Sequence, residues 1–147
     1  MGITRQQKYP DTNTFVYYNR NPHNRITTDC VIRAISTALD KPYEDIVVWL
    51  AVIQCKTGFD PSEKDGYGKY LKSQGWVMHK QPRKADGRKY TGKEFCQALL
   101  HGDLDIENNH RIIAHIGSHH LVAIIDWKVY DTWDSTNGCI GNYWTKA

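Results

Sequence analysis

The strongest constraint on the fold is a change of period along the chain. Up to Gly102 the apolar residues recur at helical spacing, and from Arg111 they fall into short β-branched and aromatic runs. In DCVIRAISTALD, Val31, Ala34, Ile35, Ala38 and Leu39 share one helical face, with Thr28 or Asp29 as N-cap. Pro42 cannot continue that helix but suits the first turn of the next, whose positive end Glu44 and Asp45 would complement. Ile46, Val47, Leu50 and Ile53 are expected to be its buried stripe, Trp49 a core residue and Gly58 its stop. GYGKYLKSQG reads as a third helix ended by Gly75, and WVMHK as a strand. TGKE, from Thr91 to Glu94, fits a capping box opening a helix that carries Phe95, Ala98 and Leu99, with Gly102 closing it. RIIAHI, HHLVAII, KVYDTW and CIGNYW then read as strands, with Gly117-Ser118, Asp126-Trp127 and Asn137-Gly138 at the joints. Helices first and an antiparallel sheet last imply an α+β fold, not alternating βαβ units.

The 147 residues make one domain, 1–147, whose residues 1–20 form a polar arm in which Phe15 to Tyr18 reads as a short strand. With 40% hydrophobic and 24% charged residues the chain is globular, which excludes disorder, collagen and coiled coil as its main state. Its net charge of +3 is too small to name nucleic acid as the partner. The longest apolar run, Ile46 to Ile53, falls far short of the roughly 20 residues of a bilayer span. The N-terminus lacks the apolar core of a secretory signal, and the four cysteines are scattered without a CxxC. Both features point to reduced thiols in a cytoplasm.

Cys30 opens a helix, where backbone N–H groups and the helix dipole favour an anion and lower a thiol pKa. Cys55 and Cys96 lie inside predicted helices and Cys139 follows a turn. A small buried residue would explain Cys30 equally well on position alone. The strands shift that balance. If Asp126-Trp127 is a two-residue turn, Ile125 pairs with Lys128 and Val122 with Asp131. Side chains alternate with period two, so His120, Val122 and Asp131 then share one face, with His119 and Asp134 on the other. A His and an Asp that are diagonal neighbours supply what a nucleophilic Cys needs, a base and the group that orients it. A three-residue turn would reverse the parity and favour Asp134.

Other signals have plainer readings. His115 and His119 have the spacing of a zinc helix, but their surroundings are strand-like and no HExxH glutamate is present, so no metal is expected. His119 reads as a surface residue or a support to His120. The basic segment around Arg83, Lys84, Arg88 and Lys89 is a solvated loop first, and a substrate or partner contact if it flanks the cleft. Trp127, in a hairpin turn, is expected to be exposed.

The order of a Cys at a helix start, a His on a strand and an Asp on the next resembles the papain-like cysteine peptidases. Asn24 lies six residues before Cys30, where that family carries an oxyanion-hole amide, and Asp131-Thr132-Trp133 resembles its Asn-Ser-Trp string. The closest likeness, through NPHNRITTDCVIRAIS, QPRKADGRKYTGKEF, HHLVAIIDWKVYDTWD and GNYW, is to small phage and prophage proteins of papain-like type. CVIRAI also resembles a string of ovarian-tumour-type deubiquitinases, but those place an Asp three before the Cys, where this chain has Thr27. The resemblance implies a papain-like fold and a Cys30–His120–Asp131 triad, with Asn24 at the oxyanion and Trp133 shielding the His–Asp bond. It implies a peptidase or isopeptidase with no cofactor, acting on a protein or peptide, including a host protein, in the host cytosol. Two other roles fit the same frame: a non-enzymatic protein that binds a host defence component, and a transglutaminase-like acyltransferase.

Overall fold

The computed structural model describes residues 2–104, 106 and 110–147. Among the described residues eleven elements follow in order: α1 (Arg5–Lys8), β1 (Phe15–Tyr17), α2 (Cys30–Leu39), α3 (Tyr43–Thr57), α4 (Lys64–Ser73), β2 (Trp76–His79), α5 (Gly92–Leu100), β3 (Arg111–Ile116), β4 (His120–Ile125), β5 (Lys128–Asp131) and β6 (Ile140–Lys146). The architecture is α+β around one six-stranded sheet of order β1-β5-β4-β3-β6-β2.

The sheet is mixed where an antiparallel one is expected. β2 to β6 pair antiparallel, but β1 pairs parallel with β5 through Phe15↔Val129 and Tyr17↔Asp131. A tight hairpin can supply only antiparallel neighbours. β1 arrives from the far end of the sequence and is free to lie parallel. The N-terminal arm is therefore partly built into the sheet, with Thr14 and Phe15 buried.

Alternation along the central strands makes two cores. Ile113, Leu121, Ala123 and Trp144 face α2, α3 and α4, where they meet Ile35, Ile46 and Leu71. Ile112, Ile116, Val122, Ile124 and Val129 face the other way, onto Phe95 and Leu99 of α5. Helices thus cover both faces of the sheet.

Caps stand where the sequence places them. Thr91 and Glu94 close both arms of a capping box, and α3 ends at Gly58 in the left-handed region (φ 73°). Three expectations fail. Trp49 is 52% exposed and Val47 40%, because α3 is apolar around most of its circumference and only Ile46, Leu50 and Ile53 meet α2 and α4. Trp127 is half-buried, packed against the α5-side core and 5.1 Å from the His110 ring. Among the described residues no helix is long and apolar enough to cross a membrane.

Candidate active site

Cys30 is the first residue of α2. The first helical bond runs from the Arg33 N–H to the Asp29 carbonyl, so the amides of the first turn have no helical acceptor. Asp29 stands at the N-cap, yet its carboxylate makes no capping bond. The positive end of the helix is left to the thiol.

His120 comes to Cys30 from the start of β4, and Asp131 from the end of β5. The Asp126-Trp127 turn has two residues, both at positive φ (47° and 69°), as a type I′ turn requires. Ile125 pairs with Lys128 and Ala123 with Tyr130. His120 and Asp131 lie beyond the last of these pairs, at strand ends where side chains reach α2. His120 Nε2 lies 2.5 Å from Asp131 Oδ2. That bond commits Nε2 and leaves Nδ1 for the thiol. Asp134 is not the orienting group: its carboxylate accepts from the Thr136 amide and hydroxyl.

The electrostatics follow from these contacts. Burial alone would push the Cys30 thiol up, but the His120 hydrogen bond, the Leu121 backbone and the charges of His120 and Arg33 hold it below its ordinary value. Burial would push His120 down, but hydrogen bonds to Asp131 and Cys30, and the charges of both, raise it to about 9. The two shifts favour a thiolate–imidazolium pair.

Behind the pair runs a buried chain of charges that the sequence reading passed over. Arg33 Nη1 donates to Asp131 Oδ1 at 2.6 Å, and its Nε to Asp29 Oδ1 at 2.8 Å. The second oxygen of Asp29 accepts from the Tyr43 hydroxyl (2.6 Å) and from Asn21 Nδ2 (3.1 Å). Burial resists the charge on Asp29, but its bonds from Tyr43, Arg33 and Asn21 hold it at about 2. The Asp29/Arg33 pair is an i,i+4 match, a signal present in the sequence all along.

The Trp133 ring packs against the imidazole, with ring centroids 4.9 Å apart and an interplanar angle of 42°. A cleft of about 600 Å³ opens beside Cys30. Val31 and Leu121 give it apolar wall, and Glu63, Tyr67, His115 and Asn142 give it polar wall. His119 is exposed on its rim. His115 belongs to β3 and bonds the Ser118 carbonyl, so no helix brings it together with His119.

Asn24 does not join the site. It is exposed at positive φ (52°), its side-chain oxygen accepts from Asn19, and the cleft is lined by Ile26, Thr27 and Thr28 instead. One methylene shorter than Gln, it is held back by its own turn. The basic segment also stays apart. Lys84 pairs with Glu94, Arg88 with Asp86, and Arg83 and Lys89 bridge each other as a small hairpin, with none of the four lining the cleft. Arg5 of the N-terminal arm does reach it, donating from Nε to the Thr132 carbonyl at 2.6 Å.

In comparisons with known proteins no family model matches the chain, and neither a curated protein nor a solved structure matches it.

Proposed function

We propose that the protein is a cysteine-dependent acyl hydrolase of papain-like type, a peptidase or isopeptidase working through Cys30, His120 and Asp131. The observation that carries this reading is one imidazole hydrogen-bonded to a buried carboxylate and coupled electrostatically to a helix-terminal thiol, beside an open cleft. The thiolate attacks the acyl carbon, and the amine leaves as its C–N bond breaks. His120 gives that amine its proton. Water, deprotonated by His120, then cleaves the thioester and restores the thiol. The Cys30 amide is one donor for the oxyanion, and loss of such a donor costs about 3 kcal/mol of barrier. The substrate is a protein or peptide in the cytoplasm, and the likeness to phage and prophage proteins makes a host protein the first class to try.

Alkylation by iodoacetamide across pH tests the reading. Cys30 is expected to react well below pH 8 and faster than the exposed Cys139, and His120→Ala to remove that advantage. If Cys30 reacts no faster than Cys139, the hydrolase reading fails.

A second reading has its own observation. Val48 (59% exposed), Trp49 (52%) and Phe59 (44%) leave apolar surface on and next to α3, as a protein-binding module would. A binder keeps its partner after Cys30→Ala and loses it after Trp49→Ala.

A further inference from the structure

From the Asp29–Arg33–Asp131 bridge we infer that Arg33 is a positioning residue of the active site, dividing the charge of Asp131 between itself and His120. The inference rests on the hydrolase reading above.

Arg33 sits one turn below Cys30 on α2, with its side chain 9% exposed between Asp29 (7%) and Asp131 (2%). The guanidinium is a rigid fork. Its Nη1 takes Asp131 Oδ1, which also accepts the Thr132 amide, and leaves Oδ2 to His120. One carboxylate thus has one oxygen assigned to each cation, which fixes the direction along which the imidazole N–H must point. Its Nε is held in turn by Asp29, itself fixed by Tyr43 and Asn21. A purely structural ion pair would have no reason to share its acceptor with the site. This one places a permanent cation behind the carboxylate and one helical turn from the thiol.

Two electrostatic consequences have a definite sign. Without Arg33 the thiolate loses a supporting charge, so Cys30 ionises at higher pH. Without Asp29, Arg33 keeps its partner in Asp131 but is no longer neutralised from behind, so Cys30 ionises at lower pH. The other titratable groups facing the site are Glu63, Lys64 and Tyr67 of the α4 start, His115 of β3, His119 of the following turn, and Arg5 of the arm. All are unchanged in both variants.

The test is the pH profile of Cys30 alkylation by iodoacetamide in the full chain, for wild type, Arg33→Met, Arg33→Lys and Asp29→Asn, each checked for folding by its thermal transition. Arg33→Met is expected to move the acid limb up by about one pH unit, a roughly tenfold slower reaction on that limb. Arg33→Lys keeps the charge and is expected to restore most of the profile while losing stability. Asp29→Asn is expected to move the limb down. If Arg33→Met folds and its profile overlays the wild type, Arg33 only supports the fold and the inference is overturned. If Arg33→Met does not fold, Asp29→Asn decides, and an unchanged or upward-shifted limb overturns the inference. A wild-type Cys30 with no fast reaction indicts the hydrolase reading itself, whereas a fast Cys30 indifferent to these substitutions indicts only Arg33.

Discussion

At the scale of single residues, the thiol and the imidazole shift each other. His120 is raised to about 9 against the burial that opposes it, through Asp131 first and Cys30 second. Removing the sulfur removes the second contribution and keeps the first. In Cys30→Ala the His120 titration followed by NMR is therefore expected to fall below that of the wild type and to stay above 6.5, the ordinary value for histidine. A midpoint unmoved by the substitution would mean that the ring and the sulfur do not interact. The choice between Asp131 and Asp134 was legible only as a question of parity, and parity depends on the length of one turn, which the sequence left open. Asp-Trp is a poor sequence for a type I′ turn. The turn holds because His110 bonds Asp126 and packs on Trp127, a long-range contact that no local rule supplies. Arg33 stayed hidden for a related reason. The i,i+4 spacing already offered Asp29 as a partner, but only the fold reveals Asp131 as the second carboxylate, which ties Arg33 to the site.

At the scale of elements, the starts of helices were legible and their buried faces only in part. The α5 capping box, the α3 stop at Gly58 and the Cys30 start of α2 each rest on one or two residues acting locally. Which side of α3 is buried rests on where α2 and α4 lie: the spacing of Ile46, Leu50 and Ile53 announces it, but in so apolar a run as YEDIVVWLAVIQCKT it also admits Val47 and Trp49, which are exposed. The start of α4 shows a constraint of a third kind. A Cβ at Gly66 would stand 2.1 Å from the Asp60 carbonyl oxygen and 2.9 Å from the Pro61 Cα, both backbone atoms that cannot rotate away. The loop and the helix must part to admit it. Gly66→Ala is expected to cost about 3 kcal/mol and lower the melting temperature by roughly 10 °C. The next residue, Tyr67, lines the cleft, so Cys30 alkylation is expected to change as well. Gly2→Ala, with nothing within 4 Å of its Cβ, is the control and is expected to melt as the wild type does.

At the scale of the whole molecule, the Asp29 cluster joins parts that the sequence keeps far apart. Asn21 belongs to the loop after β1, Tyr43 opens α3, Arg33 belongs to α2, and Asp131 ends β5. Through Arg33, the Asp29 carboxylate is linked to Asp131 and so joins the helical layer to the sheet and to the site. Its pKa of about 2 lies below the ordinary 3.8, so the folded state binds this proton less readily than the unfolded chain does. Its contribution to stability is therefore complete above about pH 4, and it is lost as pH falls through 2. Melting temperatures measured from pH 6 down to pH 2 are expected to fall steeply over the last two units. In Asp29→Asn the starting value is lower, because Arg33 loses a charged partner in a buried place. Its fall with acid is expected to be shallower, because the group that titrates is gone. Parallel curves for the two proteins would mean that the acid sensitivity lies elsewhere, and that this joint between layers holds by packing alone.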